Sequence, residues 1–148
     1  MAPNPAILAG CQPQTGREEP EMDKERYERG LKMRKEVMGE DYVSRVMENA
    51  GEFGKEFQEY VTEMAWGGAW GREDGLSKRE RSILNLGMLA AMGKSQEFAG
   101  HFRGAMRNGL TLKDLNEVLL QISLYCGFPA GVESFRIAKQ VLDEQPSS

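Results

Sequence analysis

Apolar residues recur at spacings of three and four in one segment after another, and this helical periodicity constrains the fold more than any other feature of the chain. Such stripes are typical of amphipathic helices that pack against a core. Glycines, prolines and capping sequences separate the segments, and none shows the alternation of a β-strand. The pattern predicts an all-α protein, a compact bundle of about six helices.

Local signals predict where the helices begin and end. Ser77 and Thr111 each precede an acidic residue by three positions, which is the pattern of a capping box, and Asp41 and Ser95 are further expected caps. Pro129 is expected at the start of the last helix, where its missing N–H costs nothing. The predicted helices lie at about residues 22–38, 42–50, 52–65, 78–92, 96–108, 113–126 and 129–144.

The helix predicted over 52–65 carries an apolar stripe that is expected to face the core. Its members are Phe53, Phe57, Tyr60, Val61 and Met64. The sequence WGGAWGR follows at residues 66–72, and four glycines among ten residues predict that the helix ends in a loop. Two interpretations of Trp66 and Trp70 stay open: they plug the edge of the core, or they wall a pocket.

The composition is that of one ordinary globular domain. The chain has 148 residues, of which 40% are hydrophobic and 28% charged, and this length is enough to bury a core. Residues 1–21 hold four of the six prolines and few apolar side chains, so we predict a disordered tail there and one helical domain over 22–145. Leu8 to Cys11 match the short pattern before a lipidated cysteine, but no cationic or apolar signal region precedes them.

Charge, hydropathy and cysteine content narrow the classes of partner and compartment. The net charge of −4 lacks the basic excess of nucleic-acid-binding proteins. No apolar run reaches the roughly 18 residues that span a bilayer. The two cysteines, Cys11 and Cys126, are too few and too far apart for a disulfide framework. We therefore expect a cytoplasmic protein with free thiols that binds neither nucleic acid nor membrane.

His101, the only histidine of the chain, is the main candidate for chemistry. Phe98, Phe102 and Ala105 share the apolar face of its helix, and His101 lies about 60° from the centre of that face. Glu97 precedes it by one helical turn and is close enough to hydrogen-bond it. At such a seam one edge of the ring can be buried while the other meets a ligand, as in a proton shuttle. The alternative is a structural histidine satisfied by its neighbours.

Other polar residues are candidates for the remaining groups of a proton-transfer site, which bind the anion and donate to an oxyanion. Arg72, Arg79 and Arg81 lie near the tryptophan segment in sequence and are candidate carboxylate anchors. Tyr125 is a candidate donor to an oxyanion, or else a core tyrosine with a solvated hydroxyl. One histidine and two distant cysteines do not supply a zinc or di-iron site, and no C-x-x-C pair is present. We therefore expect chemistry that needs no metal or cofactor.

Four sequence stretches together resemble the carboxymuconolactone decarboxylase family. They are WGGAWGR at 66–72, LSKRERSILNLGML at 76–89, HFRGA at 101–105 and YCGFPA at 125–130. The similarity covers roughly residues 28–145. It implies the compact all-α fold of alkylhydroperoxidase-like proteins, assembled as a homotrimer or homohexamer. It also implies a lyase of aromatic catabolism that decarboxylates a small anionic butenolide without a cofactor.

The peroxidase branch of this fold carries a C-x-x-C-x-x-x-H motif and an upstream glutamate. In this chain the two cysteine positions are occupied by Lys94 and Glu97, and the glutamate position by Ser82, so that only His101 matches. The resemblance therefore favours the decarboxylase branch.

On that resemblance each candidate residue has an expected role. His101 would protonate carbon and Glu97 would orient it, while Tyr125 would donate to the oxyanion. The carboxylate of the substrate would be bound by Arg72 and Arg81, and water would be excluded by Trp66 and Trp70. Two alternatives stay open: a biosynthetic decarboxylase, isomerase or dehydratase of the same family with a larger substrate, or a non-catalytic oligomeric module.

Overall fold

The structure is a computed structural model that describes residues 22–144. The tail predicted over 1–21, and residues 145–148, lie outside this range. The helices are α1 (Lys24–Met38), α2 (Glu40–Val61), a π-helical segment (Thr62–Trp70), α3 (Lys78–Ala91), α4 (Ser95–Arg107), α5 (Leu112–Tyr125) and α6 (Phe128–Asp143). No strand occurs in residues 22–144, which confirms the all-α prediction.

The capping signals place three of the helix starts correctly. Ser77 and Thr111 form complete capping boxes at α3 and α5, and Pro129 lies in the first turn of α6. Two predicted caps are wrong by one or two residues. Ser95 is already helical, and α2 begins at Glu40, before Asp41, because a single glycine with positive φ joins it to α1.

The prediction that the helix ends in a glycine-rich loop after residue 65 is wrong. The chain stays helical through Thr62–Trp70, in the wider turns of a π-helix, and becomes irregular only after Gly71. Gly67 in this segment packs directly on α1, where a Cβ atom would overlap the carbonyl oxygen of Arg26 and lie 2.8 Å from its Cγ. A π-helical insertion of this kind is frequent at functional sites. Gly67 therefore serves the packing against α1, and neither of the two glycines in this segment ends the helix.

Two hydrophobic cores form within the described residues. The larger core lies between α3, α4, α5 and α6 and contains Phe98 and Phe102. The smaller core joins α1, the start of α2 and the π-helical segment, and it contains Val37, Trp66 and Trp70. Helix α1 also contacts α4, so the two cores meet along α4. The tryptophans are therefore core residues that lie next to the helix of His101.

Helix α2 leaves most of its apolar stripe exposed, contrary to the prediction that this stripe faces the core. Val43 is the only buried residue among its 22 residues, while Phe53 is fully exposed and Phe57 and Tyr60 are about two-thirds exposed. The helix breaks at Gly51, which has φ 56° and ψ −168°. Aromatic side chains at this spacing on a helix are normally buried against another helix or another molecule. Residues 22–144 of a single chain do not bury these side chains.

We expect a second copy of the chain to cover this stripe, in keeping with the expected trimer or hexamer. The double variant Phe53→Glu/Phe57→Glu should shift the protein towards the monomer mass, as measured by size-exclusion chromatography with light scattering. Both rings are exposed in the protomer, so the substitutions leave its own core unchanged. Asn49→Glu adds a charge to the same helix outside the stripe and should keep the wild-type mass. A wild-type monomer at micromolar concentration would contradict this expectation.

No helix in residues 22–144 is both long enough and apolar enough to cross a bilayer.

Candidate active site

The π-helical segment and α4 bring three aromatic rings together. The ring centroids of Trp66 and Trp70 are 5.2 Å apart, and that of His101 lies 6.1 Å from each of them. The plane of His101 is parallel to that of Trp66 within 2° and is inclined by 25° to that of Trp70. The imidazole thus stacks with an offset beside two buried indoles.

His101 lies at the border of the packed face, where its helical position had placed it. Phe98, Phe102 and Ala105 are buried, Glu97 is exposed, and His101 is partly buried. Its Nδ1 atom is buried and has no hydrogen-bond partner among residues 22–144. A buried polar atom without a partner costs free energy, and such exceptions are frequent where a ligand or a catalytic proton belongs.

Burial lowers the pKa of His101, and the negative charge of Glu97 opposes this shift only in part. Glu97 is exposed, and the structure records no hydrogen bond between it and His101, so it acts on the ring through its charge. The orienting role expected of Glu97 therefore has no contact to support it. At neutral pH the imidazole of His101 in the ligand-free protein is therefore uncharged.

This pKa shift predicts a loss of stability on mild acidification. The unfolded chain, with an ordinary histidine pKa near 6.5, binds a proton more readily than the folded chain. Stability should therefore fall as the pH drops below about 6.5 and continue to fall until the lower folded pKa is reached. Because His101 is the only histidine, His101→Gln should remove this loss between pH 7.5 and 5.0, as measured by urea denaturation at each pH. Equal pH dependence in both proteins would contradict the shift.

The turn after the π-helical segment brings two of the three candidate arginines together. A Cβ atom on Gly75 would lie 2.6 Å from Nη2 of Arg81 and 3.6 Å from Cβ of Arg72, so both side chains flank this glycine. The Nε atom of Arg81 is buried without a hydrogen-bond partner in the described part of the chain. Arg79, the third candidate, is bound to Asp114 by an ion pair of 2.7 Å. Of the three candidates, Arg72 and Arg81 therefore have no ion pair recorded within residues 22–144.

A cavity of about 530 Å³ lies between α1 and this turn. Trp70 and Arg72 line it, and so does Gly75, against which Arg81 packs. Since Trp70 also contacts the ring of His101, its indole forms a wall shared by the cavity and the histidine. A cavity bordered by one tryptophan and several cations has the character of a site for a small organic anion.

Tyr125 is not brought to this site within one protomer. It is the last residue of α5 and is 81% exposed, and α5 packs on α3 and α6. The structure records no hydrogen bond or ring contact between Tyr125 and the three stacked rings in the range 22–144. The role of oxyanion donor expected of Tyr125 thus receives no support from the geometry of the protomer.

Buried charges behind the tryptophans were missed by sequence reasoning. Glu63 is 7% exposed and accepts hydrogen bonds from the Nε and Nη2 atoms of Arg26, the first at 3.0 Å. Arg34 is 6% exposed and donates to the Thr62 hydroxyl at 2.9 Å and to the side-chain oxygen of Gln58 at 2.8 Å. Burial lowers the pKa of Arg34. These contacts fasten the π-helical segment to α1.

One signal could have revealed this interface. Arg26, Gly30 and Arg34 recur every four residues and so lie on one face of α1. A small residue between two long cations is typical of a place where another backbone approaches closely. At Gly30 a Cβ atom would overlap the carbonyl oxygen of Thr62 and lie 2.6 Å from the backbone nitrogen of Gly67.

The fold and the site together define a class: within residues 22–144, an all-helical protein whose single imidazole stacks beside two tryptophans, one of which also lines a cavity with Arg72. Comparison with known proteins makes this class specific. The model of the carboxymuconolactone decarboxylase family matches residues 55–140, and the chain belongs to this family. The resemblance drawn from the four sequence stretches is therefore confirmed.

Two relatives match most of the chain. The 4-carboxymuconolactone decarboxylase of Acinetobacter baylyi is 38% identical over 122 residues, which cover 82% of this chain and 90% of that protein. The nitrosuccinic acid decarboxylase of Metarhizium robertsii is 35% identical over 124 residues, covering 84% and 86%. A 4-carboxymuconolactone decarboxylase of Pseudomonas putida is 40% identical over 45 residues, or 30% of this chain. The protein is thus a lyase, a decarboxylase of this family.

Proposed function

We propose that this decarboxylase acts on a carboxylated butenolide of the 4-carboxymuconolactone type, releasing CO2 with a shift of the double bond and a proton from His101. The observation that carries the proposal is the His101 ring, stacked with an offset beside two tryptophans, with a buried Nδ1 that has no hydrogen-bond partner within residues 22–144. The similarity to two proteins named 4-carboxymuconolactone decarboxylase supports the choice of substrate.

The reaction balances without a cofactor. The bond between the ring carbon and the carboxylate breaks, CO2 leaves, and the electron pair moves into the conjugated lactone carbonyl to give a dienolate. A proton from the His101 imidazolium then bonds to carbon as the carbonyl re-forms. One CO2 departs and one proton arrives, so no electron acceptor is needed. The protein has to bind the anion, stabilise the dienolate and supply the proton.

The charge state of His101 follows from what occupies the site. In the free protein the ring is neutral, because burial lowers its pKa. A substrate carboxylate near the ring favours the imidazolium and raises its pKa, so that binding recruits the proton that the reaction consumes. Glu97 adds to this electrostatic effect. Proton uptake on binding is therefore part of the proposed mechanism.

Arg72 and Arg81 are the proposed carboxylate ligands. They flank Gly75 beside the cavity that Trp70 lines, and the buried Nε–H of Arg81 is free to donate. Charge-assisted hydrogen bonds from guanidinium groups are strong and directional. The two indoles exclude water from the ring of His101, which strengthens the electrostatic interactions there. Tyr125 has no part in this mechanism within one protomer.

A second substrate class is favoured by one specific relative. The protein named nitrosuccinic acid decarboxylase is 35% identical over most of both chains, so an acyclic acid is a candidate as well as a cyclic one. In either case CO2 leaves, its bonding electron pair stays on the substrate as a stabilised carbanion, and that carbanion takes up a proton. Both substrates require the cations and the acid His101. The choice between the cyclic and the acyclic substrate therefore depends on the shape of the cavity.

Turnover in D2O tests the proposed function. The full chain should release CO2 from 4-carboxymuconolactone and place one deuterium on carbon in the enol-lactone product, measured by headspace CO2 and proton NMR. Nitrosuccinic acid is the parallel substrate. CO2 release from the acyclic acid alone would move the assignment to that class, and release from neither would contradict both.

A further inference from the structure

We propose that Arg34 of α1 is a positioning residue: it holds the π-helical segment in the hydrogen-bond register that stacks the two tryptophans beside His101. Arg34 itself has no recorded contact with the imidazole within residues 22–144, so it acts through the π-helical segment. The inference rests on the proposed function only for the part that His101 plays in catalysis. Helix α1 lies outside residues 55–140, the region that matches the family model.

Within residues 22–144, Arg34 is a buried cation without a carboxylate partner. It is 6% exposed, and it donates its hydrogen bonds to a hydroxyl and to an amide oxygen. The ionisable groups that act on it are the phenols of Tyr27 and Tyr42. A buried charge without an opposite charge costs free energy, and an apolar side chain of similar volume is often at least as stable in such a place. This cost favours a role for Arg34 other than stability.

Thr62, the first residue of the π-helical segment, receives one of these hydrogen bonds. Thr62 is fully buried, and its hydroxyl accepts from Nη1 of Arg34 at 2.9 Å and donates to the backbone carbonyl of Gln58 at 2.7 Å. Its own carbonyl oxygen packs on Gly30, where a Cβ atom would overlap it. Helix α1 therefore holds Thr62 through both its side chain and its backbone.

The second hydrogen bond of Arg34 reaches the last turn of α2. Nη2 donates to the side-chain oxygen of Gln58 at 2.8 Å. Since α2 ends at Val61 and the π-helical segment begins at Thr62, one guanidinium group contacts both sides of the change in helix type. Two bonds from a planar group fix the rotation of the backbone as well as its distance.

The register at Thr62 determines where the indoles point. Trp66 and Trp70 follow Thr62 by four and eight residues in the same segment. An α-helix turns by about 100° per residue, and a π-helix, whose hydrogen bonds join residues five apart, turns by less. The backbone N–H of Gly71 bonds to the carbonyl of Trp66 at 2.7 Å, so this register continues to the end of the segment. A change of register at Thr62 would therefore rotate both indoles relative to His101.

The double variant Arg34→Met/Thr62→Val separates positioning from stability. It replaces both partners of one buried hydrogen bond by apolar groups of similar size, a change that typically leaves stability nearly unaltered. Gln58 borders the cavity between α1 and α2, so its freed amide can bond to water. The variant should therefore keep the wild-type urea midpoint while the indoles lose their place beside His101.

Two spectroscopic signals report the stacked rings without any substrate. Far-UV circular dichroism detects the exciton couplet of Trp66 and Trp70, and proton NMR detects the ring currents that the indoles exert on His101. Both signals are unambiguous, because the chain has two tryptophans and one histidine. In the double variant we expect loss of the couplet and a shift of the His101 lines towards those of a free histidine.

The rate of CO2 release gives the catalytic readout. A misplaced pair of indoles should lower kcat of the double variant by about tenfold or more. KM should change far less, because Arg72 and Arg81 are retained. If the wild-type protein releases no CO2 from the butenolide but the couplet is still lost in the variant, the proposed function fails and the positioning role stands.

Lys24→Met is the matched control, since it exchanges an exposed cation in the first turn of the same helix for the same residue type. It should keep the couplet, the His101 lines and kcat of the wild type. Arg34→Lys keeps the charge but reaches only one of the two acceptors, so its couplet and kcat should lie between those of the wild type and the double variant.

A folded double variant with the wild-type couplet and His101 lines would overturn the proposal, whatever its stability. If the double variant does not fold, Arg34→Lys decides the case. Wild-type signals and kcat in that variant would show that the paired hydrogen bonds do not set the register, whereas a weakened couplet with a lowered kcat would support the positioning role.

Discussion

His101→Gln should lower kcat by about 100- to 10,000-fold, the contribution that a positioned general acid makes to proton transfer. Glutamine fills part of the space of the imidazole beside Trp66 and Trp70, but its amide does not titrate near neutral pH and so cannot act as the general acid. The carboxylate ligands Arg72 and Arg81 are unchanged, so KM should move far less than kcat. Initial rates of CO2 release over a range of substrate concentrations measure both.

Chemical rescue separates a catalytic ring from a structural one. His101→Gly leaves space beside the two indoles, and added imidazole should restore part of the turnover in proportion to its concentration. If the His101 ring served only packing, added imidazole would restore the stability of His101→Gly without restoring its rate of CO2 release. The control variant Gln96→Ala removes an exposed polar side chain from the same helix and should retain the wild-type kcat, with no response to imidazole. A His101→Gln protein with more than a third of the wild-type kcat would show that another group supplies the proton.

The helices and their starts are predictable because the signals are local. At Ser77 and Thr111 the capping box lies within four residues, and each hydrogen bond predicted there is present. The border position of His101 follows in the same way, from the angle between residues on one helix. Periodicity alone therefore placed the candidate catalytic residue between the core and the polar flank.

The π-helical segment is not predictable from local sequence. Its glycines and tryptophans resemble a loop until α1 is packed against it, because the close approach of Gly30 to Gly67 and the ion pair from Arg26 to Glu63 join residues 37 positions apart. The same contacts bury the tryptophans. Whether Trp66 and Trp70 fill a core or line a pocket could not be decided locally, and the structure shows both: each is buried, and Trp70 also borders a cavity.

Periodicity also does not reveal what an apolar stripe packs against. The stripe of α2 has the right spacing, but Phe53 and Phe57 are exposed in the protomer, so the spacing identified a face without identifying what covers it. Tyr125 shows the same limit. The sequence leaves it as an oxyanion donor or a core tyrosine with a solvated hydroxyl, but it is 81% exposed at the end of α5, which packs on α3 and α6.

The glycine contact between α1 and the π-helical segment leads to the second large effect. Gly67→Ala should destabilise the protein, because the new Cβ atom would overlap the carbonyl oxygen of Arg26 and lie 2.8 Å from its Cγ. Backbone atoms of a packed helix do not move aside as the end of a flexible side chain does. Overpacking of this kind typically costs about 1–3 kcal/mol, and we expect the upper part of that range.

Gly67→Ala should lower the activity of the protein as well as its stability. The π-helical segment carries Trp66 and Trp70 on either side of Gly67, so a shift of this segment away from α1 moves both indoles relative to His101. A misplacement of about 1 Å near a reacting group can lower the rate by about 100-fold. We expect kcat/KM of the folded Gly67→Ala protein to fall by at least tenfold, on the same argument, under conditions where circular dichroism shows native helix content.

Gly87→Ala is the matched control for this prediction. Gly87 also lies inside a helix, α3, and a Cβ atom placed on it meets no atom within 4 Å. Alanine there should raise the free energy of unfolding by about 0.5–1 kcal/mol, because it favours the helix and has room. Urea denaturation of both variants at one protein concentration gives the comparison. If Gly67→Ala were as stable and as active as Gly87→Ala, the α1 contact would not hold the tryptophans in place, and the dependence of the His101 site on a tightly packed π-helical segment would be wrong.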